Sequence, residues 1–129
     1  MKIVHAFFLA SVMLILLSSV AIAADFDWVG DFNRQAQADP SGFEKKLAAR
    51  FQMEDAQIRA LLHDVPKPSS AYIVLRLGEI SRQPLDRVVA EYKFCNRKGW
   101  RAMAKRLNIK PGSKEFQALK NGQDLFDRD

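Results

Sequence analysis

"SSAYIVLRLGEI", residues 69–80, sets Ala71, Tyr72, Ile73, Val74, Leu75, Leu77 and Ile80 along one short stretch, apolar on most sides. A segment with that pattern is buried on most sides. No polar–apolar alternation long enough to build a sheet occurs anywhere in the chain, and the neighbouring segments carry helical periods. The stretch therefore reads as the central helix of a bundle. Gly78 within it reads as a packing residue, a place where a neighbouring helix comes close.

Working upstream, Val65-Pro66-Lys67-Pro68 separates this helix from the one before it, because each proline drives its predecessor out of the helical region. In "MEDAQIRALLHDV", Ile58, Leu61, Leu62 and Val65 fall at i, i+3, i+4 and i+7 and make an apolar stripe. Glu54 and Asp55 head that helix, where its dipole favours carboxylates. "ADPSGFEKKLAARF" supplies another start, with Asp39 as N-cap and Pro40 at the first helical position. Phe43, Leu47 and Phe51 make its buried face. The spacing of Trp28, Val29 and Phe32 predicts a first helix over residues 25–38, with Asp25, Asp27 and Asp31 at its positive end.

Downstream, a new helix starts at Pro84 and puts Leu85, Val88, Val89 and Tyr92 on one face. Trp100, Met103, Ala104 and Leu107 repeat the same spacing and turn the tryptophan inward. Arg97, Arg101 and Lys105 follow each other four apart on a different face, flanked by Lys98 and Arg106. Pro111-Gly112 makes a turn, and Ser113 caps a last short helix through Phe116 and Leu119, with Glu115 in its first turn. The fold class is all-α, a compact bundle of roughly five to seven short helices.

The N-terminus reads as an address. Residues 1–23 begin with Lys2, continue through the apolar "AFFLASVMLILL" and end in "SSVAIA", with Ala21 and Ala23 at the small-residue positions of a signal peptidase site. The apolar run is roughly 12 residues, against about 20 for a stable span, so no membrane-spanning helix is expected after processing before Ala24 or Asp25. No cysteine lies there to take a lipid. Residues 24–129 then form one helical domain, periplasmic or secreted. Its single cysteine, Cys95, allows no internal disulfide; it is either a small buried residue, the favoured reading, or a bridge to another chain.

Charge divides the domain. Residues 24–75 carry six Lys or Arg against eight Asp or Glu, a net of −2; residues 76–120 carry twelve against four, a net of +8; residues 121–129 return −2. Such a basic half attracts anionic partners through a field that salt screens within about 10 Å. The plainer reading is ordinary solubilising charge on the outer side of core helices. The candidate binding residues are Arg97, Lys98, Arg101, Lys105 and Arg106.

Recognisable reactive constellations are missing from the sequence. With His5 in the leader, His63 and Cys95 remain, too few for a dedicated zinc site. His63, beside Asp64 at a helix end, reads as a terminal cation or polar cap. There is no Gly-x-Ser-x-Gly elbow, no threonine and no glycine-rich phosphate loop. Glu54 and Asp55 are adjacent, so their side chains diverge by about 100° on a helix. A Cys95 nucleophile with a His63 base is the one enzymatic arrangement left, and it is disfavoured. No catalytic residue, metal or cofactor is assigned. "SAYIVLRLGEISRQPLDRVVAEYK" has the outline of a helix-turn-helix, a nucleic-acid reading that requires the leader to be misread.

From "AYIVLRLGEISRQPLDRVVAEYK" through "KGWRAMAKRLNIKPGSKEFQALKNG", residues 71–122, the chain resembles a group of small exported helical bacterial proteins of no established function. They share Leu-Arg-x-x-Glu, Pro-x-x-x-Val, Lys-Gly-Trp-Gly and Ala-Lys-x-Leu-x-Ile-Lys-Pro-Gly-Ser-x-x-Phe. Arg101 departs from that pattern, which has glycine after the tryptophan. The resemblance implies an exported helical protein and no catalytic residues. The expected function is non-catalytic binding of an anionic envelope protein, polymer or lipid head group; the alternative is a structural or stress-associated envelope protein with no specific ligand.

Overall fold

Side-chain caps, prolines and positive-φ residues set the helix boundaries, in the computed structural model, which describes residues 25–95 and 97–126. The leader read over residues 1–23 lies outside the described residues. Seven helices and no strand form among those described: α1 Val29–Ala38, α2 Pro40–Phe51, α3 Asp55–Asp64, α4 Pro68–Ser81, α5 Leu85–Cys95, α6 Trp100–Arg106 and α7 Lys114–Asn121. Asp39 caps α2 by accepting from the Gly42 amide at 3.1 Å, with Pro40 following. The Glu54 amide donates to Gln57 Oε1 at 3.0 Å, one half of a capping box at the head of α3. Ser113 accepts from the Phe116 amide at 3.4 Å to start α7.

The first helix begins later than its spacing predicts. Residues 25–28 form a turn, with Phe26 in the left-handed region at φ 57°. That geometry lets the Phe26 amide donate to the Lys120 carbonyl at 2.9 Å, and the Trp28 indole Nε1 donates to the Leu119 carbonyl at 3.0 Å. Both acceptors belong to the last turn of α7, whose carbonyls have no intrahelical partner. The turn therefore stands in place of a first helical turn because it caps the C-terminal end of α7.

The core is arranged around α4, which packs against α1, α3, α5 and α7. Ser69 through Leu75, and Leu77, are buried, as a helix apolar on most sides requires. The two buried serines sit in its first turn, where the Ser69 amide donates to Asn33 Oδ1 of α1 at 2.8 Å. Trp28, Phe32, Phe43 and Tyr72 meet edge-on, with ring centroids 5.4 Å apart for Trp28–Phe32, 5.7 Å for Trp28–Tyr72 and 5.8 Å for Phe32–Phe43. Fully burying side chains of this size stabilises by about 1.5–3 kcal/mol each. Gly78 does face α5, but a methyl there would sit 3.8 Å from Val88 Cγ2, an ordinary contact. Space alone does not demand glycine at that position.

The segment after α7 folds back over this core. Asp124 Oδ1 accepts from the Tyr72 hydroxyl at 2.6 Å, and the Asp124 amide donates to the same hydroxyl oxygen at 3.0 Å. Arg50 of α2 donates from Nε to Asp124 at 3.0 Å and grips Glu79 of α4 through two nitrogens at 2.8 and 3.1 Å. Phe126 then lies against Phe32 and Phe43, with centroids 5.1 and 6.3 Å away. Partial burial raises the Asp124 and Glu79 carboxyls, but the hydrogen bonds from Arg50, joined by Tyr72 on Asp124 and Arg76 on Glu79, outweigh it and hold both below the usual range. Burial, reinforced by Asp124, pushes the Tyr72 phenol well up.

Candidate functional site

The basic residues selected from the sequence lie in the turn between α5 and α6 and along α6. Val88 and Cys95 anchor α5 in the core, and Leu85, Val89 and Tyr92 pack partly against it. The chain then turns: the Lys98 amide donates to the Cys95 carbonyl at 2.8 Å, and Gly99 precedes α6 at φ 88° and ψ 169°. That backbone region is essentially confined to glycine. Nothing lies within 4 Å of where a Gly99 Cβ would stand, so the glycine serves the backbone and not a tight contact.

Beyond the turn, Met103, Ala104 and Leu107 point into the core. Trp100 is half-buried, stacked on Tyr92 with centroids 5.8 Å apart and an interplanar angle of 24°. The helix closes on Asn108 at φ 63°, with the Asn108 amide donating to the Lys105 carbonyl at 3.1 Å and the Ile109 amide to the Ala104 carbonyl at 2.8 Å. This is the paired closure of a Schellman motif, with asparagine in place of the usual glycine.

Arg97, Lys98, Arg101, Lys105 and Arg106 are all exposed. They do not share one helical face. Arg97 and Lys98 lie in the turn before Gly99, so the four-residue rhythm of Arg97, Arg101 and Lys105 is interrupted and α6 carries only the last two. Arg106 is engaged: its guanidinium pairs with Glu91 of α5. That hydrogen bond holds the Glu91 carboxyl below its ordinary value, against a smaller opposing effect of burial, and raises Arg106 in turn. Arg97, Lys98, Arg101 and Lys105 have no carboxylate in ion-pairing distance among the described residues.

One residue here was not singled out by sequence. Phe94 is 61% exposed, the large hydrophobic side chain that stands in solvent among the described residues. Lys98 Nζ lies 5.2 Å from its ring centroid and the Arg106 guanidinium 4.3 Å. The signal was its register, since Phe94 falls two residues after Tyr92 and so off the stripe of Leu85, Val88, Val89 and Tyr92. Lys98 also joins Arg101 and Lys120 around a cleft of about 340 Å³ whose apolar wall includes Phe26, Trp100 and Phe116. Lys120 there pairs with Asp25 at 3.5 Å.

The remaining candidates are dispersed. Cys95 is buried at 3% exposure, as favoured from sequence, and contributes to the wall of a cleft beneath Trp100. His63 is exposed at the end of α3, with Nδ1 4.0 Å from Asp64. No hydrogen bond joins His63 to Cys95 among the described residues. Nor do three or more His, Cys, Asp or Glu side chains converge there as metal ligands. The helix-turn-helix outline maps onto α4 and α5, but α4 is buried on most sides, and Arg87 and Lys93 of α5 pair with Glu91 and Asp64 at 4.0 and 3.4 Å. Searches against family models, curated proteins and solved structures find no match to this chain.

Proposed function

We propose that this chain is an exported, non-catalytic binding protein that engages an anionic component of the cell envelope through the α5–α6 corner. The observation carrying the reading is the run of exposed Arg97, Lys98, Arg101 and Lys105, none with a carboxylate in ion-pairing distance among the described residues, with Lys98 lying over the exposed Phe94 ring. Exposed cations without a carboxylate occur elsewhere, at Lys45, Lys46, Arg59, Lys67, Arg82, Lys110 and Lys114, and those fit the plain solvated-surface reading. None of them flanks an exposed large apolar side chain. Export rests on the leader composition of residues 1–23.

The test is recovery of partners from envelope fractions at low and high salt, using the wild-type chain and a variant carrying Arg97→Gln, Arg101→Gln and Lys105→Gln. The reading expects one anionic species at low salt, lost at high salt and depleted by the variant. Equal recovery of that species by both chains would remove this corner as its site, and recovery of no species by either would favour an envelope protein whose surface has no specific ligand. Recovery of nucleic acid from intact cells, with the leader still attached, would overturn export and function together.

A further inference from the structure

Resting on that reading, we infer that the α5–α6 corner docks peripherally on an anionic phospholipid bilayer, with Phe94 entering the head-group boundary and Arg97, Lys98, Arg101 and Lys105 meeting the phosphates. The cleft bounded by Lys98, Arg101 and Lys120 also holds Asp25, which pairs with Lys120 at 3.5 Å and opposes an anionic occupant. Phe94 stands on the last turn of α5, three residues before Arg97 and four before Lys98. A polyanionic chain would be held better by a trough with an available stacking face. Trp100, the indole at this corner, already has Tyr92 on it at 5.8 Å and Phe26 nearby at 6.4 Å.

A bilayer asks for something different: an apolar tip that can leave water, ringed by cations that stay among the phosphates. Lys98 and Arg106 contact the Phe94 ring yet leave most of it in solvent. Arg106 is neutralised by Glu91, so the attraction comes from the four others. Each Lys or Arg near an anionic leaflet contributes about fivefold in partitioning, equivalent to about 1 kcal/mol. Among the described residues no helix is long and apolar enough to cross a membrane, so the attachment of this corner is reversible and salt-dependent.

The full chain is sedimented with phosphatidylglycerol–phosphatidylcholine vesicles and with pure phosphatidylcholine vesicles. The second arm measures any binding by the apolar leader, which is indifferent to lipid charge. The expected result is an excess on the anionic vesicles that falls steeply with salt, falls about fivefold for each of Lys98→Gln and Arg101→Gln, and falls severalfold for Phe94→Ser with an unchanged thermal melt. In Phe94→Trp, the added fluorescence shifts to the blue and is quenched by lipids brominated on their acyl chains. Equal binding to both vesicle types overturns the inference, as does full binding by Phe94→Ser without acyl-chain quenching in Phe94→Trp. If vesicles are ignored while envelope extract still yields a salt-sensitive protein or polymer, the bilayer is lost but the anionic-partner reading stands. Failure of both assays removes both.

Discussion

Arg50 and Arg101 lie on the outer sides of helices in the same small domain, yet their surroundings are opposite. Arg50 is held by Glu79 and Asp124, and through them it fastens α2, α4 and the C-terminal segment together. Arg101 has no carboxylate within reach among the described residues and faces solvent beside Lys98. Aromatic rings divide in the same way: Phe32 is enclosed by Trp28, Phe43, Tyr72 and Phe126, whereas Phe94 stands mostly in solvent with Lys98 and Arg106 over its ring. One region uses charge and aromatic surface internally, to hold the fold. The other leaves the same chemistry facing outward, where it contributes little to the fold.

The widest separation is expected between two phenylalanines. Phe32→Ala should destabilise by about 3–5 kcal/mol, because it empties a site that is 1% exposed. Phe94→Ala should stay within about 0.5 kcal/mol of wild type. Equal losses in denaturant unfolding would erase the distinction between the two regions. Gly99→Ala comes next, at about 1–3 kcal/mol, since alanine must adopt the φ 88°, ψ 169° backbone or reshape the entry to α6. A melt unchanged by that variant would show that the corner relaxes without cost.

Asp124→Asn should cost about 1–2 kcal/mol at pH 7 after solvent screening of this half-exposed group. The pH dependence sharpens the point. A carboxyl whose folded value is depressed adds stability above its unfolded value of about 4 and loses it as pH falls through the folded value. Wild type and Asp124→Asn should therefore converge in strong acid; a gap that persists there would assign the effect to packing. The smallest effect on stability is expected for Arg101→Gln with Lys105→Gln, within about 0.5 kcal/mol, although the same pair should weaken vesicle binding. Cys95, finally, should react with a thiol reagent only after denaturant is added, because it is 3% exposed.

Most of the fold was legible because its determinants are local. The period of Ile58, Leu61 and Val65, the cap at Asp39 and the stop at Pro66 and Pro68 each act within a few residues, and they sit where the spacing puts them. The start of α1 was misplaced because its cause is remote: Phe26 takes its positive φ to reach a carbonyl of residue 120. The Arg50–Glu79–Asp124–Tyr72 network escaped for the same reason, with partners separated by 29, 74 and 52 positions. In the candidate site, exposure of the five cations followed from the apolar stripe they avoid. Gly99 broke their common face, and Phe94 was passed over although its register already placed it outside the stripe.

The turn at residues 25–28 has a consequence for how the molecule comes into being. Its amide and indole are satisfied by residues 119 and 120, and Phe32 is covered by residue 126. A polypeptide delivered amino end first thus leaves the turn at residues 25–28 unsatisfied until residues 119–126 have emerged. Loss of residues 119–126 would therefore be felt about ninety positions upstream, where it strips these partners from Phe26, Trp28 and Phe32.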